Sequence, residues 1–238
     1  MLKKFGYEIT QCTNTEFFVF ERLLNFLRQK RGKLRFMQIG ACDGISFDPI
    51  YPFLSQHPNQ VEGLVIEPLP DLYEQLKVNY RHCPNVEAIN TAIHNKLETL
   101  TLYRVDPTKL DQVPSSAIGI TSSDPEHHLA LGIKEELMQK VEVPCCSLMK
   151  LVEDKNLGDI DLLLIDTEGY DFEILKRINF SIFKPHVIRF EHNLNTTDRY
   201  EKEFEAIVPI LHDQGYELFH QDSDCIAYQR HLTLNDLR

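Results

Sequence analysis

The chain has 238 residues, 42% hydrophobic and 26% charged, which suits one large α/β domain with a packed core and excludes a disordered or fibrous protein. Its formal net charge is −11. That field repels phosphate backbones, so nucleic acid is not an expected substrate and a cationic or neutral partner fits better; the plainer alternative is that the charge only keeps the protein dissolved.

No run approaches the roughly 18 apolar residues of a membrane span. Residues 1–10 lack the apolar stretch of an export signal. The cysteines (Cys12, Cys42, Cys83, Cys145, Cys146 and Cys225) contain no C-x-x-C pair and no zinc spacing, so they read as reduced thiols of a cytoplasmic protein.

In chain order, residues 16–30 carry Phe17, Phe18, Phe20, Leu23, Leu24 and Leu27 at helical spacing and predict an amphipathic helix. With its flanks, about 1–33, this reads as an N-terminal helical extension of a single domain spanning 1–238. Residues 34–39 and 61–66 are short apolar runs and predict strands, a helix follows at 69–80, and 86–93 predicts a third strand. Residues 161–165 form the most apolar run, a strand buried on both faces. A helix is expected at 172–178, a fifth strand at 186–190, and a helix at 200–214 stopped by Gly215. Residues 216–220 and 225–228 suit a closing hairpin. Strands alternating with helices indicate a mostly parallel sheet covered on both faces, and a last antiparallel strand is compatible with it. Residues 97–143 break the rhythm. They hold one alternating segment at 100–105 and a polar stretch with Ser115, Ser116, His127 and His128. Long insertions of this kind act as lids or binding loops, so this one is the candidate acceptor lid. The two adjacent histidines point in different directions and are assigned to solvent or packing.

Four segments carry chemistry. Gln38-Ile39-Gly40-Ala41-Cys42-Asp43-Gly44 runs from a strand into a glycine turn, where Gly40 lets backbone and ligand approach closely. An ordinary glycine turn is the competing reading. Val65-Ile66-Glu67-Pro68 places a carboxylate at the next strand end, where it can accept from both hydroxyls of a ribose; a solvent-facing strand end is the alternative. Ile165-Asp166-Thr167-Glu168-Gly169-Tyr170-Asp171 gathers acidic and hydroxyl groups after the most apolar strand. Asp166 and Glu168 can take a proton, orient an acceptor or bind a divalent cation, whereas Asp171 is expected to cap the following helix. Arg189-Phe190-Glu191-His192-Asn193 ends the fifth strand, beside the Asp166 cluster in a parallel sheet. An unperturbed histidine has a pKa of about 6.5, which suits a general base; a structural histidine is the alternative.

With these residues the chain resembles the FkbM family of S-adenosylmethionine-dependent methyltransferases over about 34–193. The most specific carrier is residues 163–175, with Ile165-Asp166-Thr167-Glu168-Gly169 ahead of a helix. The segments at 37–44 and 65–68 support it, and 90–93 and 141–151 look like the family's third strand and its lead-in to the fourth. The resemblance implies a class I methyltransferase fold: a Rossmann-like three-layer α/β sandwich around a mostly parallel seven-stranded sheet with an antiparallel last strand. It implies that Gln38, Gly40, Asp43 and Gly44 line the methionine end of S-adenosyl-L-methionine, that Glu67 with Pro68 holds the ribose, and that Thr91 and Ala92 lie near the adenine. Asp166 then borders the cofactor as well. It further implies O-methylation of a hydroxyl, on a sugar, glycan or small secondary metabolite. Position 38 is glutamine where many class I enzymes carry an acid.

Methyl transfer from a sulfonium is an in-line displacement, so alignment dominates and an aliphatic hydroxyl must also lose its proton. His192 or Asp166 is the expected base. A magnesium ion between Asp166 and Glu191 is compatible with the sequence but not required by it. A nicotinamide-dependent dehydrogenase is disfavoured, since G-x-G-x-x-G is absent and Cys42 stands at its second glycine. A catalytically inactive cofactor-binding protein of the same fold is the other reading, against which the acidic Asp166 and Glu168 argue. Neither the acceptor nor the oligomeric state is fixed by the sequence.

Overall fold

The computed structural model describes residues 16–192, 198–221 and 223–232. The leader reading of residues 1–10, Cys12 and Asn193 therefore lie outside the described residues, as do the side chains of Phe17, Phe18 and Ser116.

The described residues begin with α1 (Glu16–Arg31), which turns at Gly32 into β1 (Leu34–Ile39), followed by α2 (Tyr51–Gln56), β2 (Val61–Ile66), α3 (Pro70–Asn79) and β3 (Val86–Ile89). Then come β4 (Ala92–Ile93), β5 (Thr99–Val105), β6 (Thr121–Ser122), the short α4 (His127–Ala130) and β7 (Met138–Cys146). The last part holds α5 (Leu148–Asp154), β8 (Leu162–Ile165), α6 (Asp171–Leu175), β9 (Val187–Glu191), α7 (Asp198–Asp213), β10 (Tyr216–Gln221) and β11 (Asp224–Gln229). Proline opens α3 at its first position, where no backbone N–H is needed. Ser147 caps α5 by accepting from the Lys150 N–H at 3.2 Å.

Seven strands form one sheet in the order β10-β11-β9-β8-β1-β2-β3. The pairs β1–β2, β1–β8, β2–β3 and β8–β9 are parallel, and β11 runs antiparallel to both β9 and β10. Strand alternation divides the apolar side chains between two cores. On one face Met37, Ile39, Leu163, Ile165, Ile188 and Phe190 pack against α5, α6 and α7. On the other Phe36, Val65, Leu162, Leu164 and Val187 pack against α1, α2 and α3, with Phe20, Leu23, Leu24 and Leu27 of α1 fully engaged. This is the three-layer sandwich expected of a class I methyltransferase, with the antiparallel strand last in sequence. The helix α1 contributes to one of its outer layers.

Two expectations are corrected. Residues 86–93 are not one strand. Asn90 Nδ2 donates to the carbonyls of Glu67 and Pro68, both at 2.9 Å, and the Thr91 hydroxyl donates to the Pro144 carbonyl at 3.1 Å. These bonds turn the chain, so β4 leaves the main sheet and joins β7. The irregular region is also more ordered than an open loop: β4-β7-β5-β6 make a second, four-stranded sheet, with β5 pairing β7 over its whole length. Leu69 and Leu72 pack against its Leu102, Val143 and Cys145 and tie it to the sandwich.

Candidate functional site

In the main sheet β1 leads to β2 and β3 on one side and has the parallel β8 on the other, so the strand order reverses between β1 and β8. Ligands of open α/β sheets sit beyond the carboxyl ends of the strands at such a point. A cleft with about 170 Å³ of free volume lies there, lined by Gln38 near the end of β1 and Gly40 just after it, Glu67 and Pro68 after β2, Thr91 and Ala92 at β4, and Asp166 and Glu168 after β8. Of the sequence-derived site residues, those eight come together. Asp43 and Gly44 are not among the lining residues. Asp43 instead folds its own loop, accepting from the backbone N–H groups of Ile45 and Ser46 and from the Ser46 hydroxyl.

Gly40 is required by its neighbour more than by any ligand. At φ 82° it lies in the left-handed region, and a Cβ there would stand 1.7 Å from the Asp166 carbonyl oxygen. The absent side chain is what lets β1 and β8 close together and brings Asp166 to the cleft. Three of the four non-glycine residues at positive φ among the described residues also line this cleft: Cys42 at 51°, Phe47 at 60° and Glu168 at 52°. Backbone strain of this kind persists where a site demands it, and for a bulky residue such as Phe47 it is a marked outlier.

Glu67 is only 4% exposed. One carboxylate oxygen accepts from the Cys42 N–H at 2.9 Å and the other from the Leu69 N–H at 2.8 Å. Burial pushes its pKa up to about 8, against the pull of those two donors. Each oxygen keeps a further lone pair for a hydroxyl donor. Leu72, Ala92, Leu100 and Leu102 supply an apolar wall next to it.

The Asp166 carboxyl opens into the cleft. Desolvation by the surrounding protein, followed by the charges of Asp171, Glu168, Glu191 and Asp224, raises its pKa well above the ordinary carboxylate range. Asp171 does not cap α6, contrary to expectation: Tyr170 occupies the cap position, without a side-chain cap bond. The buried Asp171 carboxylate reaches back to the Thr167 hydroxyl at 2.6 Å, the Thr167 N–H at 3.2 Å and the Glu191 N–H at 3.3 Å. It thus ties the loop after β8 to β9, and burial raises its pKa to about 6. Glu168 is held from β6 and α4: the Ser122 hydroxyl donates to its carbonyl at 2.8 Å and His127 Nε2 lies 3.2 Å from its carboxylate. His127 therefore has a partner at the site, whereas His128 is buried.

His192 is not brought to the cleft. It has the strand parity of Ile188 and Phe190, which face α7, and its ring packs 5.6 Å from Phe204 and 4.8 Å from His220. Burial and the neighbouring His220 lower its pKa to about 4. The alternation was readable in the sequence, but which face lies under α7 was not, and it is that face which turns the histidine away from Asp166. Sequence reasoning also missed Phe47 and Asp48, which line the cleft within the loop after β1. The signal for Asp48 is weak: one more acid in a polar loop.

Among the described residues, no three His, Cys, Asp or Glu side chains are grouped to hold a metal ion. No helix among them is long and apolar enough to cross a membrane. Residues 38–218 match the Methyltransferase FkbM domain. The chain belongs to the FkbM methyltransferase family. No curated protein matches it. Its fold is similar to that of the METTL16 MTase domain at 13% identity, with a TM-score of 0.47 over 96% of this chain and 75% of that one. It is similar to an O-methyltransferase from Bacillus cereus in complex with SAH at 9% identity and a TM-score of 0.46, covering 95% and 86%. It is also similar to cofactor-bound Rv0187 from MTB at 12% identity and a TM-score of 0.46, covering 92% and 82%. Family membership makes this cleft the candidate site of methyl transfer.

Proposed function

We propose that this FkbM-family protein transfers a methyl group from S-adenosyl-L-methionine to a hydroxyl of a small molecule or glycan. The observation that carries the reading is the convergence of Gln38, Glu67 and Asp166 on one cleft at the switch point of the sheet. The residues present fit the cofactor. Glu67 offers lone pairs to two ribose hydroxyls, the apolar wall around Ala92 and Leu102 suits adenine, and Gln38 carries a buried amide oxygen with no partner. The bound cofactor supplies an electrophilic methyl carbon on a cationic sulfur.

Asp166 takes the acceptor proton. Desolvation, together with the neighbouring carboxylates, makes it a stronger base than a free aspartate, and a positioned base of this kind contributes about 10²–10⁴-fold. Glu168, fixed by Ser122 and His127, shapes the acceptor side, over which the second sheet acts as the lid. The remaining acceleration comes from alignment.

The test is release of S-adenosylhomocysteine from S-adenosyl-L-methionine across a panel of hydroxylated acceptors, with added magnesium and with chelator. Turnover on a sugar or other aliphatic alcohol supports the reading. Turnover confined to amines, thiols or nucleic acid refutes the acceptor class. No stabilisation of folded protein by S-adenosylhomocysteine refutes the cofactor.

A further inference from the structure

The described residues lining the cleft include four carboxylic acids, Asp48, Glu67, Asp166 and Glu168, and none of those described residues is Lys, Arg or His. Glu168 has His127 beside it and Glu67 feels the Arg104 guanidinium, whereas the hydrogen bonds to Asp48 among the described residues come from uncharged donors. At the end of the cleft formed by the loop after β1, Gln38 is 2% exposed and its Oε1 has no hydrogen-bond partner. An orphaned buried acceptor is costly unless a donor fills it.

The orientation of that amide is fixed by chemistry. Gln38 Nε2 donates to Asp48 Oδ2 at 3.3 Å, and an ionised carboxylate can only accept, so the amide must turn its NH₂ to Asp48 and leave its oxygen for something else. Asp48 is itself held tightly. Its Oδ1 accepts from the Ile50 and Tyr51 N–H groups at 2.8 and 3.0 Å, and its Oδ2 accepts from the Tyr80 hydroxyl at 2.8 Å. Desolvation nevertheless raises its pKa, so its negative charge is under-compensated in the protein alone.

We propose that Gln38 and Asp48 form a cation subsite for the α-ammonium group of the cofactor, with Gln38 Oε1 accepting its hydrogen bond and Asp48 orienting the amide and supplying the opposing charge. This rests on the S-adenosyl-L-methionine reading given above. Asp48 is a positioning residue, and it provides the carboxylate that position 38 lacks.

The experiment is calorimetric titration of the full chain with two probes: S-adenosylhomocysteine, and 4-(5′-adenosylthio)butanoate, which lacks only the α-amino group. The wild type is expected to prefer the first by about tenfold or more, the worth of one hydrogen bond to a charged group. Asp48→Asn should lose most of that preference while binding the deaminated probe within about twofold of wild type. Gln38→Met, which keeps the shape and removes the oxygen, should do the same and serves if Asp48→Asn does not fold. Equal loss of both probes in the variants, or a preference that survives both substitutions, overturns the subsite and leaves the cofactor reading standing. A folded wild type that binds neither probe overturns both.

Discussion

Gly40→Ala isolates the contact that builds the site. The residue sits at φ 82°, and an added Cβ would lie 1.7 Å from the Asp166 carbonyl oxygen and 2.8 Å from its carbon. A left-handed alanine alone costs about 1–2 kcal/mol. Relief of the clash requires the ends of β1 and β8 to part by about 1.3 Å, since real Cβ contacts stay beyond about 3.0 Å. That opening breaks the Asp166 N–H bond to the Ile39 carbonyl, 2.9 Å long, and strains the Gly40 and Ala41 N–H bonds to the Ile66 carbonyl, each 3.0 Å. At about 1 kcal/mol per lost bond the total is about 3–5 kcal/mol. Gly215→Ala is the control, because Gly215 has nearly the same φ, 83°, with nothing within 4 Å of its would-be Cβ. It should cost only the backbone term. Urea unfolding followed by circular dichroism gives both values, and the expected melting shifts are about 6–20 °C against about 2–8 °C at about 2–4 °C per kcal/mol. S-adenosylhomocysteine affinity should fall for Gly40→Ala alone. Equal costs for the two variants would refute the close approach of β1 and β8 as the reason for this glycine.

Asp166→Asn should lower kcat by about 10²–10⁴-fold with little change in cofactor affinity. The wild-type native state holds its proton more tightly than the unfolded chain, so this group's contribution to stability is lost as pH rises from about 3.9 through the raised native value. The variant should therefore melt progressively higher than wild type as pH increases, and a gap constant from pH 4 to 8 would disprove the shift. Glu67→Gln places an NH₂ against one of the backbone N–H donors from Cys42 and Leu69. It should weaken S-adenosylhomocysteine binding by about 10–100-fold in calorimetry, and binding within twofold would remove Glu67 from the ribose. His192→Ala should lose about 1–3 kcal/mol of stability from the packing against Phe204 and His220 and keep the turnover of the folded fraction. A large fall in kcat with unchanged stability would return His192 to the chemistry.

The sequence alone determined the layered fold and three strand ends. Contiguous apolar runs such as Leu162–Ile165, broken by Gly40, Pro68 and Gly169, are local signals, and they placed Gly40, Glu67 and Asp166 in the order of a switch-point cleft. Tertiary structure decided what depends on partners far apart in the chain. The alternation at 100–105 marked β5, but its pairing with β7 made a sheet of the region that looked like a loop, because which distant segment a strand bonds to is not written in either one. The close approach of Asp166 gave Gly40 its reason. Asp48 became a cleft residue only when Tyr80, 32 positions on, closed over it. His192 was lost from the site by the side of the strand it faces, which β-alternation fixes once Ile188 and Phe190 are seen to enter the core under α7.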